Sequence, residues 1–239
     1  MTTASQRVRP RAGREGVAVA FFDVDETVIA GKSMLDFWAY WEAEHPSAAV
    51  TGPPPASGPA AAPNREALNR WYYRRYAGVP LAALEAAGRS WYETYRRGGT
   101  AFVLPVLDTL AAHRAEGREV VLVSGSMRPL LDPLAAELGV ATVLCTELVV
   151  RPDGVLTGEV HRPMIGEAKA AAATGIMRER GAHPPDCFAY GDHESDLALL
   201  RAVGRPVVVG SSAVLNEEAR RHGWPLVPAH YGPLGTEVP

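Results

Sequence analysis

The sequence has little of several features that mark particular protein classes. Among 239 residues there are only two cysteines, Cys145 and Cys187, and both lie inside apolar stretches. We therefore expect buried free thiols in a reducing cytoplasm rather than a disulfide framework. The sequence has no long apolar run, so neither a transmembrane helix nor a secretory signal is expected. The formal net charge of −3 provides no global attraction to nucleic acid or to an anionic membrane.

Short apolar runs alternate with helical segments along most of the chain. The runs lie at 17–22, 119–124, 186–190 and 205–210, and each is too short for a helix, so we expect strands buried on both faces of a sheet. Helical patterns lie between them, as in the alanine-rich segment 166–180. This alternation predicts an α/β fold with a doubly wound parallel sheet, in which ligands bind at the carboxyl ends of the strands.

The other segments divide the chain into a core, an inserted module and a tail. Between the first two predicted strands, aromatic residues recur at helical spacing, which favours a helical cap whose faces pack together. Asp153-Gly154 between two apolar runs predicts a hairpin at 147–160. The predicted divisions are a disordered arginine-rich tail at 1–16 (or a phosphate-binding arm), a core at 17–31 and 104–239, and a cap at 32–103 with a flexible Pro/Gly loop at 46–63.

Three carboxylates follow the first predicted strand: Asp23, Asp25 and Glu26. At an effective dielectric near 20, two like charges about 4 Å apart repel by about 4 kcal/mol. Alternation along an extended chain should point Asp23 and Asp25 to the same side and Val24 into the protein. Either Mg²⁺ or a basic side chain is therefore expected at this strand end, and a solvated acidic turn is the alternative.

A second acidic cluster follows the third predicted strand. Gly191 allows the chain to bend, Asp192 stands at the strand end, and Asp196 falls in the first turn of the next helix. Carboxylate oxygens from two strand ends are ligands that favour Mg²⁺ over zinc. For His193, between these two acids, we expect a capping or solvated position rather than a metal ligand.

Two further positions predict an anion site. Ser124 ends the second predicted strand, where its hydroxyl and the following amides can donate to an anion, and Gly125 permits close approach. Lys169 is one of only two lysines, the other being Lys32, in a chain that otherwise uses arginine. A turn serine and a surface lysine are the alternatives, but their order relative to the two acidic clusters favours a phosphate site.

The combination resembles the haloacid dehalogenase-like (HAD) superfamily. Its four signatures occur in order, at Asp23-Val24-Asp25-Glu26-Thr27, Ser124, Lys169, and Gly191-Asp192 with Asp196. The resemblance covers about 17–210, the insert resembles the first cap type of the superfamily, and the hairpin resembles its phosphoserine phosphatase-like branch (subfamily IB). It implies a Rossmann-like core, and the aspartate at position 25 implies phosphate ester chemistry.

The resemblance also implies roles for the acidic residues. Asp23 would be the nucleophile that forms an aspartyl-phosphate. Asp25 would be the general acid that protonates the leaving alcohol and then the base that activates water. The cofactor would be Mg²⁺ held by Asp23, Asp25 and Asp192, with Asp25 contributing its backbone carbonyl.

The remaining signature residues would bind phosphate or support the site. Ser124, Gly125 and Lys169 would bind the phosphoryl oxygens, which makes Ser124 and Lys169 part of the catalytic set. Asp196 would orient Lys169 or the water around the metal. Thr27, like Asp196, would support the site without contacting the substrate.

One position departs from the pattern of phosphoserine phosphatases. These enzymes usually carry a glutamate nine residues after the nucleophile, where it meets the substrate ammonium, and here that residue is Lys32. A cation at this position would repel an ammonium and accept a carboxylate, a second phosphate or a hydroxyl-rich group. We therefore expect phosphoserine to be a poor substrate, although Lys32 could instead be a solvated hinge residue.

Together these features predict a Mg²⁺-dependent cytoplasmic phosphatase of a small phosphorylated metabolite, with no nucleic-acid or membrane partner. No sequence feature indicates an oligomeric state. Candidate substrate contacts from the cap are Trp38, Tyr72, Arg75 and Arg96. The alternatives are a phosphomutase or phosphotransferase, a non-catalytic binding module, and single-strand nucleic-acid binding through WYYRRY at 71–76, whose letters are also typical of a packed helix face.

Overall fold

The computed structural model describes residues 17–45 and 64–235. The predicted tail at 1–16 and loop at 46–63 lie outside the described residues. The helices are α1 (Ser33–Glu44), α2 (Arg65–Arg74), α3 (Leu81–Tyr95), α4 (Leu104–Ala115), α5 (Arg128–Leu138), α6 (Glu167–Arg180), α7 (Leu197–Arg201) and α8 (Ala213–His222). The strands are β1 (Val19–Phe22), β2 (Phe102–Val103), β3 (Glu119–Ser124), β4 (Thr142–Cys145), β5 (Leu148–Val150), β6 (Leu156–Val160), β7 (Phe188–Gly191), β8 (Arg205–Val209), β9 (Leu226–Val227) and β10 (Tyr231–Gly232).

The core is a six-stranded sheet in the order β4-β3-β1-β7-β8-β9, and every pairing in it is parallel. The chain passes from β1 outward to β3 and β4, then crosses back to add β7 and β8 on the other side of β1. This reversal opens a crevice at the carboxyl ends of β1 and β7, the place where doubly wound sheets bind ligands. The predicted α/β fold class is therefore confirmed.

Strand β1 is buried on both faces, which explains why its sequence is an unbroken apolar run. Val19 and Phe21 pack against α6, α7 and α8, whereas Ala20 and Phe22 face the cluster that contains α4, α5 and the cap aromatics. Helices on both faces leave only the strand ends accessible, so polar residues at those ends lie together.

Most predicted elements are present, with shifts at their ends. The strand predicted at 119–124 matches β3, and the predicted hairpin is the antiparallel pair β5–β6 with Gly154 at φ 80°. The run predicted at 186–190 starts later, because Pro184–Asp186 forms a 3₁₀ turn before β7. No helix in the described ranges has both the length and the mean hydropathy that a membrane crossing requires.

The cap helices α1, α2 and α3 pack through an aromatic cluster, as predicted. Its buried members are Phe37, Trp38, Trp41, Tyr72, Tyr73, Tyr76 and Trp91. The packed-face interpretation of WYYRRY is thus confirmed for its three tyrosines. Leu35 is an exception, since its helical spacing indicated the packed face but 63% of it is exposed.

Two contacts tie the cap to the core. Helix α3 lies so close to α5 that a Cβ on Gly88 would lie 2.1 Å from the Pro129 carbonyl oxygen. On the other side, the corner between α2 and α3 bonds to the hairpin, where the Gly78 amide donates to the Leu156 carbonyl at 2.9 Å. The domain boundaries at 32 and 104 stay predictions.

Candidate active site

The polar residues predicted to carry chemistry meet at the carboxyl ends of β1, β3 and β7. Asp23 follows β1, Ser124 ends β3, Asp192 follows β7, and Lys169 lies in the first turn of α6. They line a pocket of about 440 Å³ that the cap covers. These residues meet although more than a hundred positions separate Asp23 from Ser124 and Asp192, because parallel strands end at the same edge of the sheet.

Lys169 connects two buried carboxylates. Its Nζ lies 2.6 Å from Asp23 Oδ1 and 2.6 Å from Asp196 Oδ1. Burial lowers the lysine pKa, but the two carboxylates outweigh burial, so Lys169 stays protonated. Burial and the nearby Asp196 raise the pKa of Asp23 well above its usual range.

Asp192 completes the acidic group. Its Oδ1 accepts a hydrogen bond from the Thr27 hydroxyl at 3.0 Å, and the role of Thr27 in the reaction stays a prediction. Burial, followed by the charge of Asp196, raises the pKa of Asp192 to about 6. Carboxylate oxygens of Asp23, Asp192 and Asp196 all lie within 4.8 Å of one another.

This donor set fits a divalent cation. Three carboxylates converge here, and among the described residues Lys169 is the one cation that bonds to the group, so negative charge is left in excess. Hard oxygen donors without cysteine suit Mg²⁺. Side-chain oxygens of Asp23, Asp192 and Asp196 cluster here, whereas the family resemblance implies that Asp25 contributes its backbone carbonyl, and the metal assignment stays a prediction.

Asp25 lies on the same side of the chain as Asp23, and Val24 between them is fully buried, as strand alternation predicts. The Ser33 amide donates to Asp25 Oδ1 at 3.0 Å, and burial raises the pKa of Asp25. Glu26 follows in the left-handed region at φ 59°, which is strained for a non-glycine residue. That conformation turns the chain sharply away from the strand and keeps Asp25 in the pocket wall.

The turn after β3 is fixed from several directions. The Gly125 carbonyl accepts hydrogen bonds from the Asn69 amide, the Tyr73 hydroxyl and the Thr146 hydroxyl at 2.8–2.9 Å. The Ser126 amide donates to Ser124 Oγ at 3.0 Å. These bonds fix the turn at the point where Ser124 and Gly125 line the pocket.

The loop after β7 shows why glycine is needed at 191. A Cβ on Gly191 would lie 2.6 Å from the Asp196 Cβ, so close approach rather than chain bending requires this glycine. The His193 amide donates to Asp196 Oδ2 at 3.2 Å, and His193 Nδ1 accepts from the Ser195 amide at 3.0 Å. The capping position expected for His193 is confirmed.

The cap residues divide into those at the pocket and those away from it. Tyr72 and Arg75 line the pocket, while Trp38 contacts Arg75 from behind. Arg96 instead pairs with Glu137 of α5 and does not line the pocket. Lys32 lines the pocket, is half-exposed and pairs with Glu26 at 3.2 Å.

Sequence reasoning missed two pocket residues of α2. Asn69 lines the pocket and reaches across to Gly125, and Arg65 Nη1 lies 2.7 Å from His193 Nε2 of the core. The only sequence signal for Asn69 is a polar residue among the apolar positions of a buried helix face. Nothing local predicts the partner of Arg65.

Comparison with known proteins identifies a family. Residues 20–201 match the model of haloacid dehalogenase-like hydrolases. A relative from Streptomyces azureus, named inhibition of morphological differentiation protein, is 31% identical over 232 residues, covering 88% of this chain and 78% of that protein. The phosphoserine phosphatase SerB1 of Mycobacterium tuberculosis is 28% identical over 220 residues, covering 87% of this chain and 70% of that one.

A solved structure supports the fold. A crystal structure of phosphoserine phosphatase in apo form superposes with a TM-score of 0.64 at 18% identity, covering 90% of this chain and 94% of that chain. At this identity the likeness shows the fold alone, in agreement with the parallel six-stranded core described above.

Proposed function

Because the chain belongs to the haloacid dehalogenase-like hydrolase family and is a phosphoric monoester hydrolase, we propose that it is a Mg²⁺-dependent phosphatase of a small phosphorylated metabolite. The observation that carries this proposal is the position of the Asp23 carboxylate. It lies in a pocket beside the Lys169 ammonium, with oxygens of Asp192 and Asp196 within 4.8 Å.

Asp23 and Asp25 would perform the two chemical steps. A carboxylate oxygen of Asp23 attacks phosphorus while the bond from phosphorus to the leaving oxygen breaks, which gives an aspartyl-phosphate. In this scheme Asp25 begins protonated and gives its proton to the leaving oxygen, and burial, which raises its pKa, favours that form. In the second step Asp25, now a carboxylate, takes a proton from water as the water oxygen attacks phosphorus. Asp23 and inorganic phosphate are released.

Ser124 and Lys169 would bind the transferring phosphoryl group. Ser124 and Gly125 line the pocket, and the Lys169 ammonium lies 2.6 Å from a carboxylate oxygen of the nucleophile Asp23. Fixed donors of this kind stabilise charge that builds up on the phosphoryl oxygens. The cap excludes bulk water from the pocket during the reaction.

The residues that would hold the metal are Asp23 and Asp192, together with the Asp25 carbonyl that the family resemblance implies. When bound, Mg²⁺ supplies positive charge that offsets the repulsion between the carboxylate nucleophile and the phosphate. We assign Asp196 to positioning rather than to the metal. One of its oxygens accepts from Lys169 Nζ and the other from the His193 amide.

We also propose that phosphoserine is a poor substrate, although relatives carry that name. Lys32 lies in the pocket wall and pairs with Glu26 at 3.2 Å, so a substrate ammonium would compete with Lys32 for that carboxylate. A cytoplasmic location is part of the same proposal, and it is supported by Cys145 and Cys187, which are buried and free.

The test measures phosphate release and phosphoenzyme formation in the full chain. With 4-nitrophenyl phosphate and Mg²⁺, the native enzyme should release inorganic phosphate continuously, and chelation with EDTA should stop the release. Asp23→Asn should abolish turnover. Asp25→Asn should still give one burst of nitrophenol per enzyme, because that leaving group departs without protonation, and then stall as a phosphoenzyme. Full activity of Asp23→Asn would refute the nucleophile assignment.

The same measurement addresses the phosphotransferase alternative. A phosphatase releases inorganic phosphate with water as the only acceptor, whereas a transferase would require an added sugar or alcohol. A non-catalytic binding module would give no phosphate with any ester. Every position that the two chemical steps require is occupied by a residue able to perform it, which favours hydrolysis.

A further inference from the structure

Unpaired polar atoms concentrate on one face of the cap. Among the described residues, five buried side-chain nitrogen or oxygen atoms have no hydrogen-bond partner, belonging to Trp41, Asn69, Trp71, Arg75 and Asn216. Three of these residues, Asn69, Trp71 and Arg75, lie on α2 or cap its end, and all three line the active-site pocket. Buried polar atoms without partners are costly, so such a concentration points to a ligand that supplies the missing bonds.

Arg75 is held rigidly in this face. Its guanidinium carbon lies 4.4 Å from the centre of the Trp38 ring and 4.1 Å from that of Trp71. Stacking between two indoles fixes the plane of the guanidinium, and Arg75 forms no ion pair with any carboxylate of the described residues. The segment 46–63, which lies outside them, contains no Asp or Glu in its sequence. The fixed planar donor is suited to a carboxylate or phosphate.

The other cations at the pocket have polar partners. Lys32 pairs with Glu26, Lys169 bonds to Asp23, and Arg65 contacts His193. Neither Arg65 nor Arg75 pairs with a carboxylate of the described residues, and Arg75 is the one of the two with a buried side-chain nitrogen that has no hydrogen-bond partner. The pocket lining also includes the apolar residues Met34, Leu68 and Ile165.

We propose that Arg75, together with Trp71, binds an anionic group on the leaving alcohol, so that the preferred substrates are phosphomonoesters of hydroxy acids or of alcohols with a second phosphate. The proposal rests on the phosphatase function and defines its substrate class. Arg75 acts here as a specificity-determining residue on the cap side of the pocket.

Matched pairs of esters that differ in one charge test this assignment. The pairs are 3-phosphoglycerate with glycerol 3-phosphate, 6-phosphogluconate with sorbitol 6-phosphate, and 4-carboxyphenyl phosphate with phenyl phosphate. The three acids differ in length, so they sample different distances between the phosphate and the carboxylate. One acid should have its carboxylate at Arg75 while its phosphate lies at Asp23. For that acid, kcat/KM should exceed that of its neutral partner about ten- to a hundredfold, as charge-assisted hydrogen bonds allow.

Arg75→Gln should remove that preference, so that in this variant kcat/KM of the acid falls to about that of its neutral partner. The matched control is Arg74→Gln, since Arg74 neighbours Arg75 but is exposed and pairs with Glu159 on the hairpin. The control should keep the preference. If Arg75 only packed between the indoles, its loss would affect both members of a pair equally.

The measurements distinguish a wrong role for Arg75 from a wrong phosphatase function. Equal kcat/KM within all three pairs, or a preference that persists in Arg75→Gln, would overturn the assignment of Arg75 while phosphatase activity stands. Failure to release phosphate from all six esters and from 4-nitrophenyl phosphate would contradict the phosphatase function itself.

Discussion

His113 predicts a specific loss of stability in mild acid. It is 4% exposed, beneath β1 and β7, and its Nε2 lies 2.8 Å from the Tyr190 hydroxyl. Its Nδ1 lies 3.0 Å from a guanidinium nitrogen of Arg118. Because a guanidinium can only donate, Nδ1 must accept, and the imidazole must be neutral with its proton on Nε2.

The magnitude follows from the pKa of this group. Burial, followed by the charge of Arg118, lowers the pKa of His113 from 6.5 to about 4. Below pH 6.5 the His113 imidazole binds a proton in the unfolded chain but stays neutral in the native state. The free energy of unfolding therefore falls as the pH is lowered towards 4. At about 1.36 kcal/mol per pH unit, the contribution of this one side chain amounts to about 2 kcal/mol between pH 7.5 and pH 5.

The variant His113→Gln isolates this effect. Glutamine can donate to Tyr190 and accept from Arg118 without titrating. We expect the variant to be less stable at pH 7.5, because an imidazole is lost from an aromatic cluster, but to lose about 2 kcal/mol less than the native protein between pH 7.5 and 5. Urea denaturation at both pH values measures the double difference, and acidic groups common to both proteins cancel. Parallel losses would refute the neutral, buried imidazole.

Two glycine substitutions test close contacts. Gly191→Ala places a Cβ 2.6 Å from that of Asp196 and should lower kcat about a hundredfold, measured with 4-nitrophenyl phosphate, because Asp196 would no longer hold Lys169 in place. Gly88→Ala meets the Pro129 backbone at 2.1 Å and should destabilise the protein by about 1–3 kcal/mol in denaturation. Its control is Gly175→Ala, which lies inside α6 with nothing within 4 Å and should stabilise by about 0.5–1 kcal/mol. Normal activity in the first variant, or equal stability of the last two, would contradict these contacts.

The sheet and its acidic strand ends were predictable because their signals are local. A buried parallel strand is a short apolar run, and the carboxylates of Asp23 and Asp192 follow such runs directly. The fold then brings the two together without further information, since parallel strands share one edge. The phosphate-binding turn at Ser124 follows from the same rule.

The face of each cap helix was less predictable. Leu35 has the spacing of a packed residue, yet α1 buries Ser33, Phe37, Trp38 and Trp41 instead. Ser33 is polar, but it bonds to Asp25 and Ser126, partners far away in the sequence or outside the helix. Helical spacing fixes which residues share a face and leaves open which face turns inward when tertiary hydrogen bonds decide it.

Arg96 shows that the partner of a charged residue is also not predictable from its own helix. The sequence places it among the aromatic and arginine residues of the cap that are candidates for substrate contact. It instead bonds to Glu137, whose pKa is lowered by that contact against the effect of burial. The partner lies on α5, and only the packing of α3 on α5 reveals it.

The bonds between the hairpin and the cap have a consequence for protein engineering. Gly78 donates to Leu156, Leu156 donates to Val79, and Leu81 donates to Gly154, so this corner of the cap is completed by main chain from a distant part of the sequence. A chimera that exchanged residues 32–103 alone for the insert of another enzyme would leave these amides and carbonyls facing foreign backbone. Grafting a new substrate preference onto this scaffold therefore calls for two exchanged cassettes, the insert and the hairpin.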